Sequence, residues 1–165
     1  MRRNDTKRLA LAGVLAALAV VIMCLGGLIP FATYVCPMLC AMTLFVILRF
    51  CGKRFSWIWF AVVAFLSLLM GPDKEAAIVF LFIGYYPLIK YVLEKHKLSM
   101  LMKFLFFNVA VFLAYSFLSY VIGMDEVLQE NLELGIAGLL LLMVLGNATF
   151  FLLDKLLTMM ARKIR

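Results

Sequence analysis

Long apolar runs alternate with short charged blocks along nearly the whole chain of 165 residues. A helix needs about 20 residues to cross a hydrocarbon core about 30 Å thick. Six runs meet or approach that length, and they predict spans at about 9–29, 34–48, 55–70, 76–92, 101–122 and 134–153. Because backbone groups in lipid need internal partners, each run is expected to be helical. The second run is short, which predicts a tilted or partly re-entrant helix.

The composition agrees with a membrane protein. Hydrophobic residues make up 67% of the chain and the mean hydropathy is +1.10, whereas an ordinary soluble domain is about half apolar. The length is that of one domain. We therefore predict an all-α protein with a single integral membrane domain over residues 1–165.

The basic residues fall on one side of the predicted spans. With the amino terminus inside, fifteen of the sixteen Lys and Arg residues lie on the inner side, and Lys74 alone lies outside. Inner loops of membrane proteins are enriched in Lys and Arg. This arrangement predicts six spans with both termini cytoplasmic, in a bacterial cytoplasmic membrane. The outer loops instead hold acids: Asp73, Glu75, Asp125, Glu126, Glu130 and Glu133.

Several kinds of chemistry have no signal in the sequence. The net charge of +7 does not indicate nucleic-acid binding, because no basic block has the aromatic interleaving or motif spacing expected of a nucleic-acid binder. Cys36 and Cys40 are spaced i, i+4 but no His accompanies them, so we expect no metal site. The chain contains no Walker loop and no hydrolase or kinase motif. We expect neither a cofactor nor an enzymatic activity.

A compact charged break, Gly71-Pro72-Asp73-Lys74-Glu75, separates the third and fourth spans. Pro72 disfavours helix in the residues before it. Asp73 is predicted to cap the next helix, and Glu75 would lie in its positive first turn. Two interpretations stay open at this point. The segment is either a capped turn alone or a capped turn whose charges also face a ligand.

The spans carry a few distinctive residues. Ala12 and Ala16 lie on a small-residue face of the first span, where either a neighbouring span or another protein can approach closely. Asn108 and Asn147 are interpreted as ties between helices, and Pro87 predicts a kink in the fourth span. Polar groups inside spans usually face protein or water. Two tyrosines nearer the outer side are therefore the better pocket candidates: Tyr115 and Tyr120.

The first span and the last part of the chain carry a family resemblance. The segments are Thr6-Lys7-Arg8-Leu9-Ala10 through Ala12-Gly13-Val14-Leu15-Ala16-Ala17, and Gly146-Asn147-Ala148-Thr149 with Leu153-Asp154-Lys155-Leu156. They resemble the substrate-binding S components of energy-coupling-factor (ECF) vitamin transporters, which are six-helix proteins with both termini inside. The resemblance implies that Ala12 and Ala16 meet a membrane-embedded T subunit and that ATPase subunits drive uptake.

The same resemblance implies a pocket for a small, vitamin-like solute that opens outward. In this chain the corresponding regions contain Thr33, Tyr34, Asp73, Lys74, Glu75, Tyr115 and Tyr120. Two other functions stay open. One is a scaffold subunit of a cell-envelope complex, as in MreD-like proteins, and the other is a small carrier that acts alone.

Overall fold

The computed structural model describes residues 3–26, 32–94, 99–117 and 135–163, and every regular element in these ranges is a helix. The helices are α1 (Arg3–Gly26), α2 (Ala32–Cys51), α3 (Lys53–Met70), α4 (Lys74–Ile83), α5 (Tyr86–Leu93), α6 (Ser99–Phe117) and α7 (Gly135–Lys163). Six stretches are long and apolar enough to cross a membrane: 6–26, 34–51, 53–70, 74–93, 99–117 and 143–162. The predicted all-helical fold with six such helices is confirmed.

Helix α2 differs from the expectation. It is a regular helix of 20 residues that continues through Pro37 and Arg49, whereas the sequence predicts an end at residue 48, before the charged Arg49. The tilted or partly re-entrant course of this span stays a prediction. In the structure the Arg49 guanidinium lies over the Phe45 ring, 5.7 Å from its centroid. A long cationic side chain can pack its apolar stem along the helix in this way, so the charge of Arg49 does not end the helix.

The fourth span is interrupted. Helix α4 ends at Ile83 and α5 begins at Tyr86, with Gly84 and Tyr85 between them. Pro87 lacks an N–H for the carbonyl four residues earlier, and its ring crowds that carbonyl. The chain restarts with a bond from Leu88 N to Tyr85 O of 2.9 Å. The distortion predicted at Pro87 is therefore confirmed, and it takes the form of a break between two helices.

The chain divides into two compact units, which are described separately. Unit 1 covers residues 1–97 and contains α1 to α5, and unit 2 covers residues 98–165 and contains α6 and α7.

In unit 1, hydrogen bonds to the backbone of α1 define the direction of its neighbours. The Cys40 thiol donates to Ala19 O at 3.3 Å and the Cys51 thiol to Arg8 O at 3.6 Å, so α2 is antiparallel to α1. Trp59 Nε1 donates to Ala12 O at 3.0 Å, and the Cys24 thiol faces Met70 O at 4.0 Å, so α3 is parallel to α1. The core between these helices is closed by buried apolar side chains that include Met23, Leu44, Ile47, Val63 and Phe80.

These directions give unit 1 two distinct ends. The start of α1, the end of α2 and the start of α3 lie together at what we call the basic end. The end of α3, the start of α2 and the start of α4 lie at the opposite end, which we call the turn end because residues 71–73 connect α3 to α4 there.

The small residues of α1 explain why its backbone is reachable. Ala12 is 4% exposed and Ala19 is fully buried, and Ala16 packs at the edge of the same core. Alanine lets a neighbouring helix approach closely enough for a side chain to reach a backbone carbonyl. Of the two alternatives for this face, contact with a neighbouring span accounts for Ala12, whose carbonyl accepts the Trp59 bond.

In unit 2, α6 and α7 form an antiparallel pair with a ladder of side-chain contacts. Lys103 Nζ lies 2.9 Å from Asp154 Oδ2, and the Phe107 and Phe150 rings stack with centroids 4.7 Å apart. Asn108 and Asn147 exchange amide hydrogen bonds of 3.2 and 3.3 Å. The interpretation of the two asparagines as ties between helices is confirmed.

Candidate functional site

The charged turn between α3 and α4 supplies a cap for each of the two helices: Asp73 for the start of α4 and Lys74 for the end of α3. Asp73 is the N-cap of α4, where its Oδ1 accepts a bond of 2.9 Å from Ala76 N. Glu75 lies in the first turn of the same helix, where a negative charge is favoured by the helix dipole. The predicted N-cap role of Asp73 and the predicted place of Glu75 in the first turn are both confirmed.

Lys74 serves the helix on the other side of the turn. Its Nζ donates to Leu68 O and to Gly71 O, each at 2.9 Å. These carbonyls belong to the carboxyl end of α3, where a cation is favourable and carbonyls lack partners within the helix. The lysine that stands apart in the charge pattern therefore stabilises the end of α3.

Behind this turn lies a buried hydroxyl. Ser67 is fully buried on the last turns of α3, and in the described part of the chain its Oγ is the buried side-chain atom that has no hydrogen-bond partner. Its backbone carbonyl accepts Gly71 N at 2.8 Å. A β-carbon on Gly71 would come within 2.4 Å of that carbonyl oxygen. Glycine is thus required there for the turn to pack closely over Ser67.

The start of α2 lies at the same end of unit 1. Tyr34 is half-buried in the first turns of α2. Because α2 is antiparallel to α1 and α3 is parallel to α1, the first residues of α2 lie at the same end as the end of α3. Tyr34 is therefore at the same end of unit 1 as Asp73, Lys74 and Glu75. Thr33 belongs to the first turn of α2 by its backbone.

The remaining predicted site residues are distributed as follows. Tyr115 lies near the end of α6 in unit 2 and is half-buried. Tyr120 lies outside the described residues. On α1, Ala12 is covered by the chain's own helices and Ala16 is half-buried. Their contact with a T subunit stays a prediction.

The four cysteines form no disulfide with one another. All four are free thiols, and three of them face backbone carbonyls of neighbouring helices. Within the described ranges, no group of three or more His, Cys, Asp or Glu side chains is placed to hold a metal ion.

Sequence reasoning missed two features of the polar chemistry. A serine in an apolar span is unremarkable by itself, so the unpartnered position of Ser67 was visible only after folding. The charge pattern counts Lys103 only as one of the inner cations, but in the structure Lys103 forms an ion pair with Asp154, with side chains 10% and 16% exposed. The sequence feature that could have indicated this pair is the presence of opposite charges on adjacent predicted spans, near the same side of the membrane.

Comparisons with protein-family models, with curated proteins and with solved structures gave no match to this chain.

Proposed function

We propose that the chain is a membrane-embedded substrate-binding subunit of the ECF type, which captures a small solute at the turn end of unit 1. In this proposal both termini are cytoplasmic, so the turn end faces outward. The placement of basic residues in the sequence supports that orientation. The proposal also draws support from the six apolar helices and from the polar groups gathered at one end of unit 1.

The observation that carries the proposal is the Ser67 hydroxyl. A buried hydroxyl without a partner costs free energy, so native structures rarely leave one unsatisfied. Ser67 lies one turn before the end of α3, and its backbone carbonyl accepts a bond from Gly71, the residue that begins the turn to Asp73 and Lys74. A polar solute atom that enters at this end would satisfy the hydroxyl. The proposed solute is therefore small and carries at least one hydrogen-bonding group.

In this proposal the charged turn forms a polar rim around the entrance for the solute. Lys74 and Asp73 are already engaged as helix caps, so the solute meets a preformed polar rim rather than mobile charges. Preorganised groups bind with less loss of conformational entropy. Tyr34 would contribute an aromatic surface with a polar tip at the same end.

Uptake in this proposal requires a T subunit and ATPase subunits, and α1 is the contact helix. The carbonyl side of Ala12 is occupied by Trp59. The partner would therefore reach α1 at the neighbouring small residues Gly13 and Ala17, which are exposed and spaced i, i+4. A β-carbon built on Gly13 has nothing within 4 Å.

The test is an affinity pull-down of the tagged chain from native membranes in mild detergent, with mass spectrometry of proteins and small molecules. Recovery of a T subunit with ATPases and a bound solute is the expected result. Recovery of envelope-synthesis proteins without a solute would replace this proposal by the scaffold function. A bound solute without partner proteins would favour the carrier that acts alone.

A further inference from the structure

The basic end of unit 1 gathers cations from three helices. Lys7 and Arg8 lie at the start of α1, Arg49 at the end of α2, and Lys53 and Arg54 at the start of α3. All five side chains are exposed. None of them takes part in the turn end, so this cluster is independent of the proposed solute site.

Two structural features bring the cluster together. Helices α2 and α3 are joined by one residue, Gly52, whose φ of 86° and ψ of 170° suit glycine. This tight connection keeps Arg49 close to Lys53. The Cys51 thiol lies 3.6 Å from Arg8 O, which places the start of α1 against the end of α2. Since α1 and α3 are parallel, with Ala12 opposite Trp59, the starts of both helices lie at the same level.

Two cations of the cluster lie at an unfavourable position in their helix. Lys53 and Arg54 occupy the first turn of α3, where the helix dipole disfavours cations. That turn contains no acidic residue, and Gly52 supplies no side-chain cap. An anion bound at the start of α3 would offset this unfavourable placement.

Apolar surface begins directly beside the cations. Four side chains within about two turns of the cluster are exposed: Phe50 at 52%, Trp57 at 41%, Ile58 at 62% and Leu9 at 48%. A free anion has no use for such a surface, whereas a lipid presents a phosphate next to acyl chains. The combination of cations at a helix end with exposed apolar side chains matches an anionic lipid at the membrane interface.

We propose that the basic end binds the headgroup phosphate of an anionic phospholipid, whose acyl chains lie along Phe50, Trp57 and Ile58. Arg49, Lys53 and Arg54 contact the phosphate, and Lys7 and Arg8 add to the local positive potential. The bound lipid offsets the charge at the start of α3 and holds the basic end at the membrane surface.

Tryptophan fluorescence gives a local readout of this site. Trp57 is 41% exposed beside the cluster, whereas Trp59 is 4% exposed, so lipid quenchers report mainly on Trp57. The full-length chain is reconstituted into bilayers of phosphatidylcholine that contain brominated phosphatidylglycerol or, in parallel, brominated phosphatidylcholine. We expect brominated phosphatidylglycerol to be enriched at Trp57 by about tenfold over its bulk fraction, and this enrichment should fall as salt is added.

Variants then assign the preference to the cluster. Arg49→Gln with Lys53→Gln and Arg54→Gln should abolish the enrichment, and the milder Lys53→Gln should lower it about fivefold. The matched control is Lys155→Gln with Arg162→Gln, which removes exposed cations of unit 2 and should leave the quenching unchanged. Circular dichroism checks that each variant stays helical.

Three results would overturn the proposal. One is equal quenching by the two brominated lipids in the unmodified chain. Another is unchanged enrichment in Lys53→Gln, which remains informative even where the triple variant fails to fold. The third is displacement of brominated phosphatidylglycerol by inorganic phosphate at matched ionic strength, because that outcome assigns the site to a free anion.

Discussion

Ser56 and Ser67 are both fully buried on α3, but their hydroxyl groups have different environments. Ser56 Oγ donates to Gly52 O at 3.0 Å, whereas Ser67 Oγ has no partner among the described residues. The two serines therefore form a matched pair for comparing a hydroxyl that has a partner with one that has none among the described residues.

We predict that Ser67→Ala weakens solute binding without lowering the stability of the protein. The lost bond to the solute is worth about 1 kcal/mol, or roughly fivefold in affinity. No bond of this hydroxyl to the described residues is lost, so the unfolding midpoint should not fall. The measurements are solute retention through purification, by mass spectrometry, and thermal unfolding in detergent.

Ser56→Ala is the control, and it should give the opposite pattern. It removes a bond within the protein and should lower the free energy of unfolding by about 1 kcal/mol, with solute retention unchanged. If Ser67→Ala destabilises the protein and leaves solute retention unchanged, Ser67 is a packing residue. The proposed function then loses the observation on which it mainly depends.

Interactions between residues that are close in the sequence, such as helix capping, could be predicted from the sequence. Asp73 caps α4 and Glu75 lies in its first turn, as their positions predict, because both effects depend on residues next to one another in the chain. The bonds from Lys74 to the end of α3 could not be predicted in this way. Their acceptors, Leu68 O and Gly71 O, come close to the Lys74 ammonium only because the chain turns where α3 ends.

Helix pairs are held in register by polar contacts between apolar surfaces. In unit 2 the Lys103–Asp154 ion pair and the Asn108–Asn147 bonds lie on either side of the Phe107–Phe150 stack. Apolar side chains alone give little preference for one register in lipid, where packing and hydrogen bonds supply the specificity. These polar contacts therefore set the alignment of α6 against α7.

We predict that breaking the Lys103–Asp154 pair is more damaging than removing it. Lys103→Met leaves the Asp154 carboxylate mostly buried without its partner, which typically costs about 3–5 kcal/mol. The double variant with Asp154→Leu should recover a large part of that loss. Denaturant unfolding of the single and double variants in detergent measures the coupling. Additive effects of the two changes would show that the ion pair has no energetic role.

Helix α1 offers a second prediction at this scale. Under the proposed function, Gly13→Leu with Ala17→Leu should reduce recovery of the T subunit about tenfold, because bulky side chains block close approach of another helix. Leu18→Phe is the control, since it adds bulk at a position that is also exposed, at 47%. Normal recovery with the Gly13 and Ala17 variant would place the partner elsewhere on the chain.

For the whole molecule, the division of charge predicts which ends face which side. Lys53 at the basic end and Pro72 at the turn end are both exposed and lie at opposite ends of α3. Since Lys and Arg favour the inner side, the basic end is expected to be cytoplasmic.

Cysteine labelling tests this orientation. In a background with the four native cysteines changed to Ser, Pro72→Cys should react with a membrane-impermeant maleimide in intact bacterial cells. Lys53→Cys should react only after the cells are permeabilised. The inverse pattern would overturn the orientation while leaving α3 as a span, and labelling of both positions from one side would show that α3 does not cross the membrane.

The sequence by itself determined the helical class, the six apolar spans and the capped turn at 71–75. Span length, proline and capping residues act over short stretches, so a linear pattern is sufficient to predict them. Even the break near Pro87 follows from a missing N–H and steric crowding that involve neighbouring residues alone.

Tertiary structure decided which residues meet. It placed Ala12 O within reach of the Trp59 indole and brought Arg8 to the end of α2. It also left the Ser67 hydroxyl without a partner among the described residues. These results depend on helix direction and on the register between helices. An apolar stripe does not specify either quantity, because many side chains of similar size can pack against one another in several alignments. Contacts between residues distant in sequence selected one alignment, and that alignment created both the buried hydroxyl and the basic end.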